Sequence, residues 1–139
     1  MRPEKTRAYV SVSYGEKHSL RSELNAITVT LAKFKIECFI FVDQYSFARD
    51  QEQEMMSQAM KDIDGCDFLI SETSHKAIGI GVEVGYGKAK NKPIVYLRRN
   101  DAEHSTTVSG ISDFHIIYYS ILDLQAKLES VVAKVIATR

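Results

Sequence analysis

Residues 66–97 read C-D-F-L-I-S-E-T-S-H-K-A-I-G-I-G-V-E-V-G-Y-G-K-A-K-N-K-P-I-V-Y-L. Cys66 to Ile70 is a short apolar run of strand type, and S-E-T-S-H-K is a polar break after it. From about Ile78 to Lys90 the chain is glycine-rich and helical in pattern; Pro93 then restarts it into I-V-Y-L. This is a strand–helix–strand unit, whose two strands lie parallel because the connection must cross back over the sheet.

The same alternation runs outward in both directions. Residues 7–14, R-A-Y-V-S-V-S-Y, alternate with period two and suit a first strand. Leu20, Leu24, Ile27, Leu31 and Phe34 follow at steps of three and four, one apolar helix stripe, with Lys33 and Lys35 near its end. Residues 36–42, I-E-C-F-I-F-V, predict a second strand, near-continuously apolar as in a strand buried on both faces. Residues 43–50 form a polar loop, and Met56, Met60 and Ile63 mark a second helix that Gly65 stops. Beyond I-V-Y-L, residues 99–113 predict a long Ser/Thr-rich loop, F-H-I-I-Y-Y a fifth strand, and Leu124, Leu128, Val131 and Val135 a last amphipathic helix. The expected fold is α/β, doubly wound and flavodoxin- or Rossmann-like. It has a five-stranded, mainly parallel sheet with helices on both faces, in one domain over residues 1–139. Ligands in such folds bind outside the carboxyl ends of the strands, so the loops at 13–19, 43–50, 71–78 and 99–110 predict the rim, with Tyr14, Asp43, Ser74 and Ser105 placed to line it.

Composition narrows the class of protein. Lys+Arg and Asp+Glu are both 18, so no global field draws the chain to a nucleic-acid polymer or a membrane. Arg2, Lys5 and Arg7 are too few for a nucleic-acid arm. No apolar run approaches the roughly 20 residues of a membrane span, and the N-terminus lacks the apolar stretch of a secretion signal. Cys38 and Cys66 read as free, buried thiols of a reducing cytoplasm. His18, His75, His104 and His115 are scattered, which predicts no metal site, and no cofactor is expected.

Within Ala77–Gly87, A-I-G-I-G-V-E-V-G-Y-G, Glu83 is the only carboxylate. Two readings fit it: an acid on the wet face of the helix or paired with Lys88 or Lys90, or a carboxylate held in an apolar setting for chemistry. G-I-G-V-E-V-G is not a dinucleotide fingerprint, because it follows the third strand and its glycine spacing fails. Gly85 and Gly87 are expected to allow close packing of helix on sheet, whereas Gly79 and Gly81, near the helix start, let a ligand approach the backbone. H-S-T-T-V-S-G (104–110), with Ser105 and Ser109, reads either as a solvated loop or as hydroxyls for phosphate or sugar oxygens. S-Y-G-E-K-H-S (13–19), opened by Ser13, is either a capping segment or an anion-binding turn. Tyr118 and Tyr119 are expected to pack on the sheet.

The segment from Asp67, together with S-T-T-V-S-G, resembles the nucleoside 2-deoxyribosyltransferase superfamily, which includes 2'-deoxynucleoside 5'-monophosphate N-hydrolases. The resemblance spans Tyr9 to about Tyr119 and is strongest from Asp67 to Gly110. It implies an N-glycosidic reaction on a nucleoside or nucleotide. Glu83 matches the nucleophile that attacks the anomeric carbon, giving a glycosyl-enzyme resolved by a second base or by water. Tyr9 matches a tyrosine that positions the nucleophile or the sugar. Ser105 matches a residue supplied by a neighbouring subunit, which implies a homodimer or higher homo-oligomer with shared sites. Asp67 is expected only to fix strand and loop geometry.

The chain also departs from that pattern. Ala59 stands where the family has an aspartate that helps protonate the leaving base, with Asp62 one turn later as the substitute. Ala77 replaces an Asp or Ser, and Gly15 a phosphate-contacting arginine, with Lys17 and Arg21 nearby. The implied catalytic set is therefore Glu83, Tyr9 and Asp62, and the implied substrate-binding set Ser13, Gly79, Gly81, Ser105 and Ser109. The departures leave a second reading, a nucleotide-binding or sensor domain without turnover. Residues 8–14 are also similar to the first strand of TIR domains, which leaves NAD cleavage as a third.

Overall fold

A computed structural model describes residues 5–138; Arg2 of the N-terminal basic cluster lies outside them. The elements run β1 (Arg7–Val12), a 3-10 turn (Tyr14–Glu16), α1 (Arg21–Lys33), β2 (Glu37–Ile40), α2 (Phe41–Gln44) and α3 (Glu52–Asp64). They continue as β3 (Phe68–Glu72), α4 (Ile78–Ala89), β4 (Ile94–Arg99), α5 (Thr106–Ile111), β5 (Phe114–Tyr118) and α6 (Ile121–Ala137). The five strands form one sheet in the order β2-β1-β3-β4-β5, and every pairing is parallel. This is the expected α/β plan. Among the described residues no helix is long and apolar enough to cross a membrane, and no group of three or more His, Cys, Asp or Glu could hold a metal ion.

Period-two alternation divides the core into two layers. Ala8, Val10, Phe68, Ile70, Val95 and Leu97 face α1 and α6, where Leu24, Ile27, Leu31, Leu128 and Val135 cover them. Tyr9, Leu69, Ile94 and Tyr96 face the other way, under α3, α4 and α5. The strand order changes direction between β1 and β3, and α4 crosses the sheet there, touching both strands. Any side chain on the inner face of α4 therefore meets the middle of β1, far away in sequence.

Several boundaries differ from the sequence expectation. The second strand is shorter, Glu37–Ile40, because Phe41–Gln44 turn into a helical segment; β2 is an edge strand with Cys38 and Phe39 only half-buried. Of the two cysteines, only Cys66 is fully buried, and burial pushes its thiol up to about 12. The third strand begins at Phe68 rather than Cys66 and runs on through Ser71 and Glu72, which pair with β1 and β4. A polar strand end is tolerated here because Ser71 Oγ donates to the Val95 carbonyl at 3.2 Å and Glu72 is enclosed by donors. Residues 99–113 are not one loop: Thr106–Ile111 form α5, which buries Val108. The inward face of α3 is Ala59 and Ile63 with Met55, leaving Met60 exposed, and Val132 rather than Val131 is the buried residue of α6. Tyr118 packs in the core as expected, but Tyr119 is 71% exposed.

Close approach of helix to sheet is needed at Gly87, where a Cβ would lie 2.7 Å from Leu69 Cδ1. Gly85 has open space where a Cβ would go, so the packing role assigned to it is not observed. Asp67 does tie strand ends together: its Oδ2 accepts the Arg7 amide at 2.8 Å, and its own amide donates to the Arg7 carbonyl at 2.7 Å.

Candidate active site

Glu83 lies on the inward side of α4 and reaches β1. Tyr9 donates its hydroxyl to Glu83 Oε2 at 2.8 Å, and Ser11 donates its own to Oε1 at 2.5 Å. Neither lysine that could neutralise Glu83 does so: Lys88 pairs with Asp113 at 3.1 Å and Lys90 with Asp64 at 3.7 Å. The carboxylate is half-buried, held by two neutral donors and, among the described residues, no cation. Burial raises the Glu83 carboxyl above the usual range, and the bonds from Ser11 and Tyr9 pull it back only in part. Burial likewise raises Tyr9, with the Glu83 charge adding to it, so the phenol remains a proton-bearing donor.

A carboxylate oriented by two hydroxyls and not neutralised by a described cation has the chemistry to act as a nucleophile or to stabilise positive charge. The alternation of β1 puts Tyr9 and Ser11 on one face, two residues apart. Ser11 escaped the sequence reading, although the period that selected Tyr9 selects Ser11 equally.

Asp62, one turn beyond Ala59 on α3, stands near this pair. Gln58 Nε2 donates to its Oδ1 at 3.1 Å, while its Oδ2 is buried without a hydrogen-bond partner among the described residues. After burial, a hydrogen bond with Asp62 and then its charge raise Tyr45, while for Tyr9 the Asp62 charge adds only after burial and Glu83. Aromatic rings enclose the same corner. Phe39 stacks on Tyr9 with centroids 5.8 Å apart, and Phe41 stacks on Phe47 at 6.1 Å, with Tyr45 between them at 5.0 and 5.6 Å. Tyr45 and Phe47, which the sequence reading left in a polar loop, are thus half-buried walls of the Glu83 corner.

The remaining candidates lie elsewhere. Gly81 and Ser105 line a cavity of about 560 Å³ between the loop after β3 and the start of α5, with His75, Lys76, Ala77 and His104. Among the described residues no carboxylate, Glu83 included, lines this cavity. It opens at the first turn of α4, one turn before Glu83 on the same helix. The Ser105 amide donates to Tyr96 Oη at 3.0 Å, which seats the start of α5 on the sheet. Gly79 faces open space, Ser13 borders a shallow depression with Ser74 and Lys76, and Ser109 meets His115 Nε2 through its carbonyl at 2.8 Å. Of the rim residues, Asp43 is engaged by Arg21 through two bonds of 3.0 and 3.1 Å, which hold its carboxyl below the usual range; Tyr14 is exposed.

No protein-family model matches the chain, and no curated protein matches it in sequence. Solved structures do. A CMP N-glycosidase from Clostridium botulinum superposes with a TM-score of 0.65 at 18% identity, covering 90% of this chain and 99% of that one. A 2-deoxyribosyltransferase from Leishmania mexicana gives 0.66 at 12% identity, covering 92% and 97%. A 2-deoxyribosyltransferase from Bacillus psychrosaccharolyticus gives 0.65 at 11%, covering 86% and 90%. At these identities the likeness establishes the fold, while function has to be argued from the site. Over 86–92% of its length the chain therefore shares the fold of a CMP N-glycosidase and of two 2-deoxyribosyltransferases.

Proposed function

We propose that this protein is a divergent member of the nucleoside 2-deoxyribosyltransferase superfamily that cleaves or transfers the N-glycosidic bond of a nucleoside or nucleotide. The observation that carries the reading is Glu83, a half-buried carboxylate that pairs with no cation among the described residues and is held by Tyr9 and Ser11 on β1. Glu83 attacks the anomeric carbon of the sugar; the bond to the base breaks and its electron pair leaves with the base. Hydroxyl donors keep the attacking oxygens oriented and the anion close to an oxocarbenium-like centre. Asp62, beside Tyr9 and Tyr45 in the same corner, is the group to protonate the departing base. Water then opens the glycosyl ester in hydrolysis, or a second base does so in transfer. The aromatic wall of Tyr45 and Phe47 suits a planar base. The cavity at the start of α4, free of carboxylates and bordered by Lys76, His75 and His104, suits the polar end of the sugar or its phosphate.

The active unit is a homodimer. The outer face of α4 carries Ile78, 89% exposed, and Val82, 50% exposed, flanked by glycines and free of charge. That face borders the cavity, so a second copy seated on it would complete the rim. In light scattering, Val82→Arg is expected to convert a dimer to a monomer and to lower turnover; a wild-type monomer that turns over overturns the shared site.

The decisive test incubates the chain with deoxynucleosides, ribonucleosides, their monophosphates (CMP first) and NAD, and assays free base by chromatography. Base release that disappears in Glu83→Gln is expected. No release from any of them sinks the enzymatic reading. A second reading, a nucleotide-binding domain without turnover, is favoured by Ala59: it is buried, 1% exposed, and offers no acid where the resemblance implies one that protonates the leaving base. That reading predicts nucleotide-dependent thermal stabilisation with no base released.

A further inference from the structure

A second buried carboxylate lies on the opposite face of the sheet. Glu72 ends β3 and is 0% exposed, directed into the layer covered by α1 and α6. No ion pair among the described residues reaches it; the nearby guanidinium of Arg99 is 3.8 Å from Glu23 instead. Glu72 Oε1 accepts the amide of Ser74 at 2.6 Å, and Oε2 accepts the hydroxyl of Tyr118, itself buried at the end of β5. Ser74 Oγ in turn accepts the Arg99 amide at 2.9 Å, and Thr73 donates both its amide and its hydroxyl to the Leu97 carbonyl, at 2.9 and 2.8 Å. One carboxylate thus joins the ends of β3 and β5 to the first residues of the loop that leads to α4.

Substrate cannot reach Glu72, so it does not touch reacting atoms. A buried charge without a cation is a costly way to fill a core position that an apolar side chain would fill more cheaply. What the carboxylate adds is two strong acceptors at once, one for a backbone amide and one for a phenol. The amide it holds belongs to the loop whose next residues, His75, Lys76 and Ala77, line the cavity, and whose end starts the helix that carries Glu83. A loop fastened at its root keeps those groups within the few tenths of an ångström that a productive complex needs.

We infer that Glu72 is a positioning residue: it clamps the β3–α4 loop from behind the sheet and thereby sets the cavity wall and the first turn of α4. The consequence for turnover rests on the N-glycosidic reading above; the clamp itself does not. Facing Glu72 are Tyr118 from β5, Ser74 from the loop after β3 and Glu23 from α1, the last paired with Arg99 at 3.8 Å. Glu72→Ala removes both acceptors, whereas Glu72→Gln keeps an oxygen for the Ser74 amide and so should rescue the loop.

The test has two arms. In amide hydrogen exchange read by mass spectrometry, peptides covering residues 73–78 should exchange at least about tenfold faster in Glu72→Ala. They should stay near wild type in Glu72→Gln, with β1 peptides unchanged in both. In CMP hydrolysis, Glu72→Ala should raise KM about tenfold with kcat within about threefold, again rescued by Glu72→Gln. Loop exchange identical to wild type in both variants overturns the clamp, as does a rise spread evenly over all peptides, which marks general destabilisation. A loosened loop with unchanged KM and kcat overturns the positioning role. If the wild-type chain releases no base, the N-glycosidic reading fails, and the exchange arm alone decides the clamp. If Glu72→Ala does not fold, Tyr118→Phe, which removes one donor and leaves the Ser74 bond in place, should loosen the loop by a smaller factor; no change there overturns the clamp.

Discussion

Two glutamates in this molecule have the same chemical company and opposite situations. Glu83 accepts from Tyr9 and Ser11; Glu72 accepts from Tyr118 and from the amide of Ser74. Among the described residues neither has a cation, and burial raises both carboxyls. Glu83 is half-buried at a corner walled by aromatic rings, whereas Glu72 is sealed between sheet and helices. The difference teaches that a tyrosine–carboxylate pair is not itself a catalytic signature. Access decides its role: where a reactant can arrive the unpaired charge can act on it, and where none can arrive the charge can act only on the protein.

The strongest way to break this comparison is by activity. On the proposed mechanism, Glu83→Gln should lower base release at least about a thousandfold, because a nucleophile has no substitute. Tyr9→Phe, which removes one donor to a charged group, should lower it about 10- to 100-fold. If Glu72→Gln were as damaging as Glu83→Gln, the assignment of roles would be reversed.

Stability should show the opposite order. Tyr118→Phe leaves an oxygen of a sealed carboxylate without its donor, a loss of about 1–3 kcal/mol, measurable by urea denaturation. Tyr9→Phe should cost clearly less, since Glu83 keeps Ser11 and some contact with solvent. Equal losses would show that access does not separate the two pairs.

The pH dependence of stability sharpens the point. For a carboxyl raised in the folded state, the neutral form is the one that folding favours. The contribution is whole below the unfolded value near 4.5 and is lost as pH rises through the higher folded value. Glu83→Gln should therefore be more stable than wild type at pH 7, with a melting temperature a few degrees higher, about 2–4 °C. The gain should vanish on acidification below 4.5. A variant less stable than wild type at pH 7 would mean that the hydroxyl bonds outweigh desolvation. The smallest effect is expected from Ser11→Ala. Ser11 holds the Glu83 carboxyl down, so its removal should move the acidic limb of the pH–rate profile to higher pH. No movement of that limb would detach Ser11 from the nucleophile.

Much of the fold was legible because its signals are local. The stripe Leu20, Leu24, Ile27 and Leu31 became α1, and each of these residues is fully buried. The glycine-rich stretch became α4 with bounds close to those expected, Ile78–Ala89. The failures are equally physical. Ser71 and Glu72 read as loop because they are polar, yet they continue β3, where neighbouring strands supply their hydrogen-bond partners. Ser105–Gly110 read as loop because hydroxyl residues are indifferent helix formers, and α5 forms where Val108 finds a place against the sheet. At the site, Glu83 stood out by its apolar neighbours and Tyr9 by resemblance, but Ser11, Tyr45 and Phe47 carried no mark beyond residue type.

The amino-acid sequence by itself determined the alternation of strands and helices, the parallel sheet and the identity of the one carboxylate in α4, because periodicity and composition act over a few residues. Only the tertiary structure decided what that carboxylate meets. Tyr9 and Ser11 lie 74 and 72 residues from Glu83 in the chain, and they reach it because the strand order places β1 beside β3, beneath α4. The same packing sealed Glu72 and left Glu83 half-buried, since how far a charge is covered depends on the layers that close over it and not on its neighbours in sequence.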